Sequence, residues 1–173
     1  MKVISIVGNS NCGKTGSIKY AMKYMINNKY TKILYYSPLN ICGECDDSIK
    51  NCVTDDIDES IGNGIASNRN IKILIVSLDN RVIGLTTYDD SLSDIHEAIN
   101  TAVKIVDKQI DCFVCGRHEK NEIESEFLSF GLTVDNVIVI KKEKSKTNLP
   151  IIWDKDNMAN GLEIYYKILN DLF

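Results

Sequence analysis

One stretch near the start of the chain constrains the fold more than any other. An apolar run, Lys2–Val7, leads directly into the eight residues Gly8–Thr15, which read GNSNCGKT. Apolar residues at helical spacing then follow, at Ile18, Ala21, Met22, Met25 and Ile26. This order predicts a strand, a tight glycine-containing turn and a helix in direct succession.

The residue types in this turn suit an anion. Gly8 and Gly13 can adopt backbone angles closed to other residues, so the turn can curl with successive N–H groups pointing inward. The helix N-terminus behind the turn adds roughly half a positive charge. Lys14 supplies a compact cation for phosphate oxygens, and the hydroxyl of Thr15 suits Mg²⁺. The alternative is a glycine-rich turn that binds nothing.

Gly8–Thr15 fits the pattern G-x-x-x-x-G-K-[ST], and over residues 2–28 the chain resembles the P-loop NTPase superfamily. Beyond residue 28 it is only loosely similar to small bacterial and phage ATP-binding P-loop proteins of undefined reaction. The resemblance implies that the chain binds ATP or GTP together with Mg²⁺, but many functions share this fold. The residues expected to contact the nucleotide are Gly8, Asn9, Ser10, Asn11, Cys12, Gly13, Lys14, Thr15 and Gly16.

Strand-like and helix-like stretches alternate along the rest of the chain. Apolar runs typical of strands cover 32–37, 71–77, 82–87, 110–115 and 134–140, and helical spacing follows the capping residue Ser91 and covers 119–130 and 157–173. A short turn between the runs 71–77 and 82–87 predicts an antiparallel hairpin. We expect a single α/β domain, 1–173. It should be a three-layer sandwich in which helices cover both faces of a mostly parallel sheet that contains one antiparallel hairpin strand.

In such a sheet the parallel strands end at one edge, where ligands bind. We therefore expect the turn Gly8–Thr15, the corner Tyr36–Pro38, the pair Asp89–Asp90 and the pair Arg117–His118 to face one cleft.

P-loop enzymes hold Mg²⁺ with a carboxylate at the end of an apolar strand. Asp79 follows one predicted strand but begins a tight turn, where aspartate is common for conformational reasons. Asp89 and Asp90 follow the run 82–87 and precede a helix. We favour Asp89 as a metal ligand beside Thr15, and Asp90 as a carboxylate that orients water or a substrate hydroxyl. The alternative is an acidic pair that only favours the helix dipole.

Arg117 comes at the end of another apolar run. At the ligand edge its guanidinium can hold a phosphate with two parallel hydrogen bonds. The alternative is a surface arginine paired with Glu119 or Glu122. The predicted catalytic residues are Lys14, Asp89, Asp90 and Arg117.

The segment 38–70 is acidic and has little clear periodicity. Its part Glu44–Glu59 contains seven acidic residues and one lysine, whereas the whole chain has a net charge of −4. We expect a mobile flap or insertion with a short helix near 57–66. Three cysteines in this segment lack a fourth metal ligand at usable spacing, and whether they bind a metal stays open; they are Cys42, Cys45 and Cys52. Cys112 and Cys115, in contrast, lie inside an apolar run and are predicted to be buried free thiols on opposite faces of the sheet.

Composition narrows the function classes. No broad basic surface is evident, which argues against nucleic-acid binding, and the lysines at 141, 142, 144 and 146 are expected to form a solvated loop. No apolar run approaches the length of a membrane span, and the start of the chain lacks the pattern of a signal peptide, so we expect a cytoplasmic protein.

These features predict a Mg²⁺-dependent ATP-binding protein. The first hypothesis is a small kinase-like phosphotransferase with a small-molecule acceptor, or an NTP hydrolase. The alternative is a regulatory ATPase that acts as a switch on a protein partner. The guanine-reading pattern N-K-x-D is absent from the sequence, which makes GTP less favoured than ATP.

Overall fold

A computed structural model describes residues 1–9, 12–37, 39–42, 47–61, 70–88, 92–107, 109–118, 127–128, 130–143 and 150–172. The strands are β1 (Lys2–Val7), β2 (Thr31–Ser37), β3 (Ile41–Cys42), β4 (Ile73–Leu78), β5 (Arg81–Leu85), β6 (Cys112–Arg117) and β7 (Val137–Lys141). The helices are α1 (Lys14–Asn27), α2 (Asp47–Ile61), α3 (Leu92–Val106) and α4 (Pro150–Leu172), and a 3₁₀ turn covers Val134–Asn136.

The seven strands form one sheet in the order β3-β2-β4-β5-β6-β1-β7. Strands β5, β6, β1 and β7 are parallel to one another. Strand β4 is antiparallel to both of its neighbours, β2 and β5, so β2 runs in the same direction as the parallel group. The short edge strand β3 is antiparallel to β2. The structure confirms the mostly parallel sheet, and it confirms the β4–β5 hairpin.

Helices cover both faces of this sheet. On one face, α1, α2 and α4 pack over strand residues such as Ile4. On the other face, α3 packs over Val3 and Phe113. Because successive side chains of a strand point to opposite faces, the apolar strands supply both cores at once. The three-layer prediction is therefore confirmed; the two sides are called the α1 face and the α3 face below.

The two cysteines of β6 follow the same alternation. Cys112 lies in the core on the α1 face and Cys115 in the core on the α3 face, and both are free thiols. Burial raises the pKa of the Cys112 thiol to about 12, so this group stays protonated and inert at neutral pH. The prediction of buried free thiols on opposite faces is confirmed.

The acidic segment contains a longer helix than predicted, since Asp47–Ile61 is a regular helix that begins ten residues before the short helix expected near 57–66. Two buried residues one turn apart, Val53 and Ile57, anchor it to the core of the α1 face. Lys23 of α1 forms an ion pair with Asp58, with 2.7 Å between Nζ and Oδ1. The hydroxyl of Tyr36 in β2 donates to Asp56, so the acidic residues of α2 find partners in two other elements. The expected helix start at residue 57 is therefore wrong, while the expected insertion or flap at 38–70 stays a prediction.

The start of α4 differs from its prediction, whereas the helix end at Gly131 agrees with it. Helix α4 begins at Pro150 rather than at residue 157, since proline lacks an N–H and fits the first helical position. It has 23 residues, yet none of the described helices is both long and apolar enough to cross a bilayer. Residues 127–128 end in the predicted glycine stop: Gly131 has φ +70, and the N–H of Leu132 donates to the carbonyl of Phe127 at 3.0 Å. Ser91 and 119–126 lie outside the described residues.

The packing of α2 generates a test. Ile57→Ala should lower the free energy of unfolding by about 2–5 kcal/mol, because the shorter side chain leaves a cavity between α2 and the core of the α1 face. The exposed neighbour Glu59→Ala should change it by less than about 0.5 kcal/mol. Denaturant titration of the three proteins measures both values, and equal stability of all three would mean that the helix does not pack as described.

Candidate functional site

The carboxyl ends of β1, β6 and β7 lie side by side at one edge of the sheet. Val7, the last residue of β1, pairs with Arg117 of β6 on one side and with Lys141 of β7 on the other. The turn that begins at Gly8 therefore leaves the sheet between two parallel strands, which is where ligands bind in sheets of this type.

The strand order corrects one expectation about this edge. The four groups expected to face one cleft do not all border β1, because β6 lies between β1 and β5, the strand that leads to Asp89. At about 4.8 Å per strand, the end of β5 is about 10 Å from β1 and the end of β2 about 19 Å away. The corner at Tyr36 thus shares the edge but not the immediate surroundings of the turn; Pro38 lies outside the described residues.

The topology also separates the two candidate metal carboxylates. Asp79 follows β4, which is antiparallel to β5, so Asp79 lies at the opposite edge of the sheet from Gly8. It occupies a turn with φ +47, as its position in the hairpin requires. Asp89 and Asp90 lie outside the described residues, although the preceding Thr86 is fixed by an N–H bond of 3.0 Å to the carbonyl of Val114. Their proposed roles remain predictions.

The structure explains why the turn needs glycine at both positions. Gly13 has φ +90 and is the N-cap of α1, a conformation that side-chain residues rarely adopt. A Cβ atom on Gly8 would lie 2.5 Å from the carbonyl oxygen of Lys142 and 2.6 Å from the sulfur of Cys12. Ser10 and Asn11 lie outside the described residues.

Lys14, the first residue of α1, folds its side chain back into the curve of the turn. Its Nζ donates to the carbonyl oxygens of Gly8 at 3.2 Å and Asn9 at 3.1 Å, and the residue is only 4% exposed. Thr15 and Gly16 are half-buried in the first helical turn, where N–H groups have no acceptor within their own helix. A buried ammonium group and helix N–H groups thus converge, and this donor set suits a phosphate group.

Arg117 is more buried than a surface arginine or an arginine at an open ligand edge would be. Its Nε donates to the hydroxyl of Ser5 at 3.1 Å, and the residue is 7% exposed. Ser5 alternates with Ile4 along β1, so this bond lies on the α3 face. Burial lowers the pKa of Arg117, although the guanidinium remains charged. The alternative partners Glu119 and Glu122 lie outside the described residues.

The structure adds three residues that the sequence did not identify: Ser17, Lys142 and Asn157. The backbone N–H of Lys142 donates to the carbonyl of Val7 at 2.7 Å. Its Nζ donates to the hydroxyl of Ser17 at 2.7 Å and to Oδ1 of Asn157 at 2.8 Å. Lys142 is 7% exposed, so its assignment to a solvated loop is wrong. Its place directly after a strand parallel to β1 is the signal that indicates otherwise.

Asn157 brings α4 against the turn. A Cβ atom on Gly16 would lie 2.5 Å from Nδ2 of Asn157, and one on Gly13 would also collide with this side chain. Beside this contact is a cavity of about 100 Å³, bordered by Cys12, Lys142, Asp156 and Asn160. The small residues of the phosphate-binding pattern therefore serve a second purpose, which is close packing against α4.

In the part of the chain that the structure describes, no three His, Cys, Asp or Glu side chains lie close enough together to hold a metal ion. Cys52 is an exposed thiol on α2, while Cys45 and the side chain of Cys42 lie outside that part. Metal binding by the three cysteines stays an open question.

Comparisons with protein-family models, curated proteins and solved structures found no match for this chain.

The buried ammonium of Lys142 predicts a pH dependence of stability. Burial lowers its pKa from the ordinary 10.5 to about 8, against the opposing influence of Cys12 and Asp156. Between these two values the unfolded chain holds a proton that the folded chain has lost, so the free energy of unfolding should rise with pH.

Replacing the lysine should remove this rise. From pH 8 to 10.5 the gain in the free energy of unfolding should be up to about 3 kcal/mol larger in the wild type than in Lys142→Met. The exposed neighbour variant Lys141→Met should behave as the wild type does. Denaturant titrations over this pH range give the comparison, and parallel curves for wild type and Lys142→Met would contradict the buried charge.

Proposed function

We propose that the chain binds ATP with Mg²⁺ at Gly8–Thr15, as P-loop NTPases do, and acts as a small kinase-like phosphotransferase or an NTP hydrolase. The observation that carries the proposal is the junction of β1 and α1. Gly13 turns the chain in the left-handed region, and Lys14 places its ammonium inside the curve of the turn.

The distribution of buried cations supports an anionic ligand here. Four cationic side chains among the described residues are at least nine-tenths buried, and three of them, Lys14, Arg117 and Lys142, lie at the carboxyl ends of β1, β6 and β7. The fourth, Lys19, lies between α1 and α2, where it donates to the carbonyl of Ser60. Three positive charges at the ends of adjacent strands give this edge a positive potential. That potential favours a polyphosphate as the ligand.

Each predicted residue has a role in this proposal. Lys14 binds the β- and γ-phosphate oxygens, and the N–H groups at the start of α1 bind the phosphate that lies against the helix. The Thr15 hydroxyl and the Asp89 carboxylate hold Mg²⁺, which when bound neutralises charge on the phosphates. Asp90 orients water or an acceptor hydroxyl. Arg117, held by Ser5, contributes positive potential from beneath the edge.

One observation favours the alternative function, an ATP-dependent switch that acts on a protein partner. Helix α1 begins at the phosphate-binding turn and is tied to the acidic helix α2 by two lysines one turn apart. Nζ of Lys19 donates to the carbonyl of Ser60 at 2.6 Å, and Lys23 pairs with Asp58. A shift of α1 on nucleotide binding would therefore be passed to α2. ATP turnover that requires an added small acceptor favours the phosphotransferase; slow hydrolysis with a change in the protease sensitivity of α2 favours the switch.

Removing the lysine of the turn tests the proposed nucleotide site. At 100 times its dissociation constant, Mg·ATP should add about 2.7 kcal/mol to the free energy of unfolding of the wild type. Lys14→Met keeps the aliphatic chain but removes the ammonium group, so this gain should be lost. Lys104→Met, an exposed position on α3, is the matched control and should keep it. Equal stabilisation of the wild type and Lys14→Met by Mg·ATP would refute the site.

A second experiment distinguishes Asp89 from Asp79 as the metal ligand. Asp89→Asn should raise the Mg²⁺ concentration needed for half-maximal ATP binding by about tenfold or more, since the amide keeps the shape and removes the charge. Asp79→Asn should leave it unchanged because Asp79 lies at the opposite edge. Titration of Mg²⁺ at fixed ATP decides between them, and a larger effect from Asp79→Asn would move the metal site away from the turn.

A further inference from the structure

A chain of hydrogen bonds joins Lys142 to the peptide that begins α1. Nζ of Lys142 donates to the Ser17 hydroxyl at 2.7 Å, and that hydroxyl donates to the carbonyl of Gly13 at 3.1 Å. The same carbonyl also accepts the backbone N–H of Ser17 at 3.0 Å. Lys142 lies beyond the end of β7, and Ser17 is fully buried.

We propose that Lys142 is a positioning residue for nucleotide phosphate, which acts through Ser17 on the peptide between Gly13 and Lys14. The inference rests on the proposed nucleotide site and adds to it a residue 125 positions away from Ser17 in the sequence. Lys142 itself is not expected to contact the phosphate.

The physical basis is the polarisation of one peptide group. The carbonyl of Gly13 and the N–H of Lys14 belong to the same planar unit, so hydrogen bonds accepted by the oxygen strengthen the N–H as a donor. One of those bonds comes from a hydroxyl that is itself bonded to a cation, and charge-assisted bonds are the stronger kind. Because Ser17 is buried, water screens this effect little.

A second contact of the ammonium fixes the geometry. Nζ of Lys142 also donates to Oδ1 of Asn157 at 2.8 Å, and the amide of Asn157 occupies the space above Gly13 and Gly16. The ammonium thus joins the end of β7, the first turn of α1 and α4. With this brace in place, the peptide after Gly13 cannot tilt toward α4 without displacing Asn157.

A double-mutant cycle on nucleotide affinity tests the relay. Calorimetry at pH 7 should show that Lys142→Met and Ser17→Ala each weaken Mg·ATP binding by about two- to fourfold, because losing the relay weakens the bond from the Lys14 N–H to phosphate by about 10–30%. If Lys142 acts through Ser17, the double variant should bind no more than slightly weaker than either single one. Lys142→Arg should restore most of the affinity, because the adjoining cavity of about 100 Å³ gives room for a larger cation.

Controls separate this inference from the proposed function. Lys141→Met makes the same charge change at an exposed position and should bind as the wild type does. Unchanged affinity in Lys142→Met, with binding abolished by Lys14→Met, overturns the relay and leaves the nucleotide site in place. Additive losses in the double variant also overturn it. Absence of Mg·ATP binding by the wild type overturns both proposals, and Ser17→Ala with Lys142→Arg completes the test if Lys142→Met does not fold.

Discussion

Burial of positive charge at one edge of the sheet is the constraint on which the site depends. Lys14, Arg117 and Lys142 are nearly excluded from solvent where β1, β6 and β7 end. Main-chain carbonyls accept from Lys14, a serine hydroxyl accepts from Arg117, and a serine hydroxyl and an amide oxygen accept from Lys142. Three positive charges at the ends of adjacent strands give this edge a positive potential, which favours an anion.

The backbone makes that concentration of charge possible. Strand β1 is flanked by parallel strands on both sides, so its end and theirs meet at one edge. The left-handed turn at Gly13 then starts α1 at once, which brings the positive end of a helix to the same place. Helix α4 follows Lys142 in the chain and packs on α1, with Gly161 lying against Tyr20. The site is therefore assembled from the first and last parts of the chain.

The sequence predicts the layers of this fold because each buried strand is an apolar run and each glycine turn is local. It does not predict the strand order, since the place of β6 between β5 and β1 depends on long-range pairing. Helix α2 is missed for a related reason, since it has few apolar residues and its polar groups bond to distant parts of the chain. Lys19 and Lys23 of α1 and Tyr36 of β2 supply those bonds. Lys142 looks like one of several surface lysines until the fold places Ser17 and Asn157 beside it.

The most direct test of the central claim is a ¹H–¹⁵N NMR titration of the wild-type chain with Mg·ATP. The account predicts that the amide signals of Gly13, Lys14, Thr15 and Gly16 shift first and most, in the direction expected for hydrogen bonding to an anion. Gly131, which ends a helical turn elsewhere in the fold, should serve as an unshifted reference. Saturable shifts confined to another surface, or none at all, would show that this turn is not a nucleotide site.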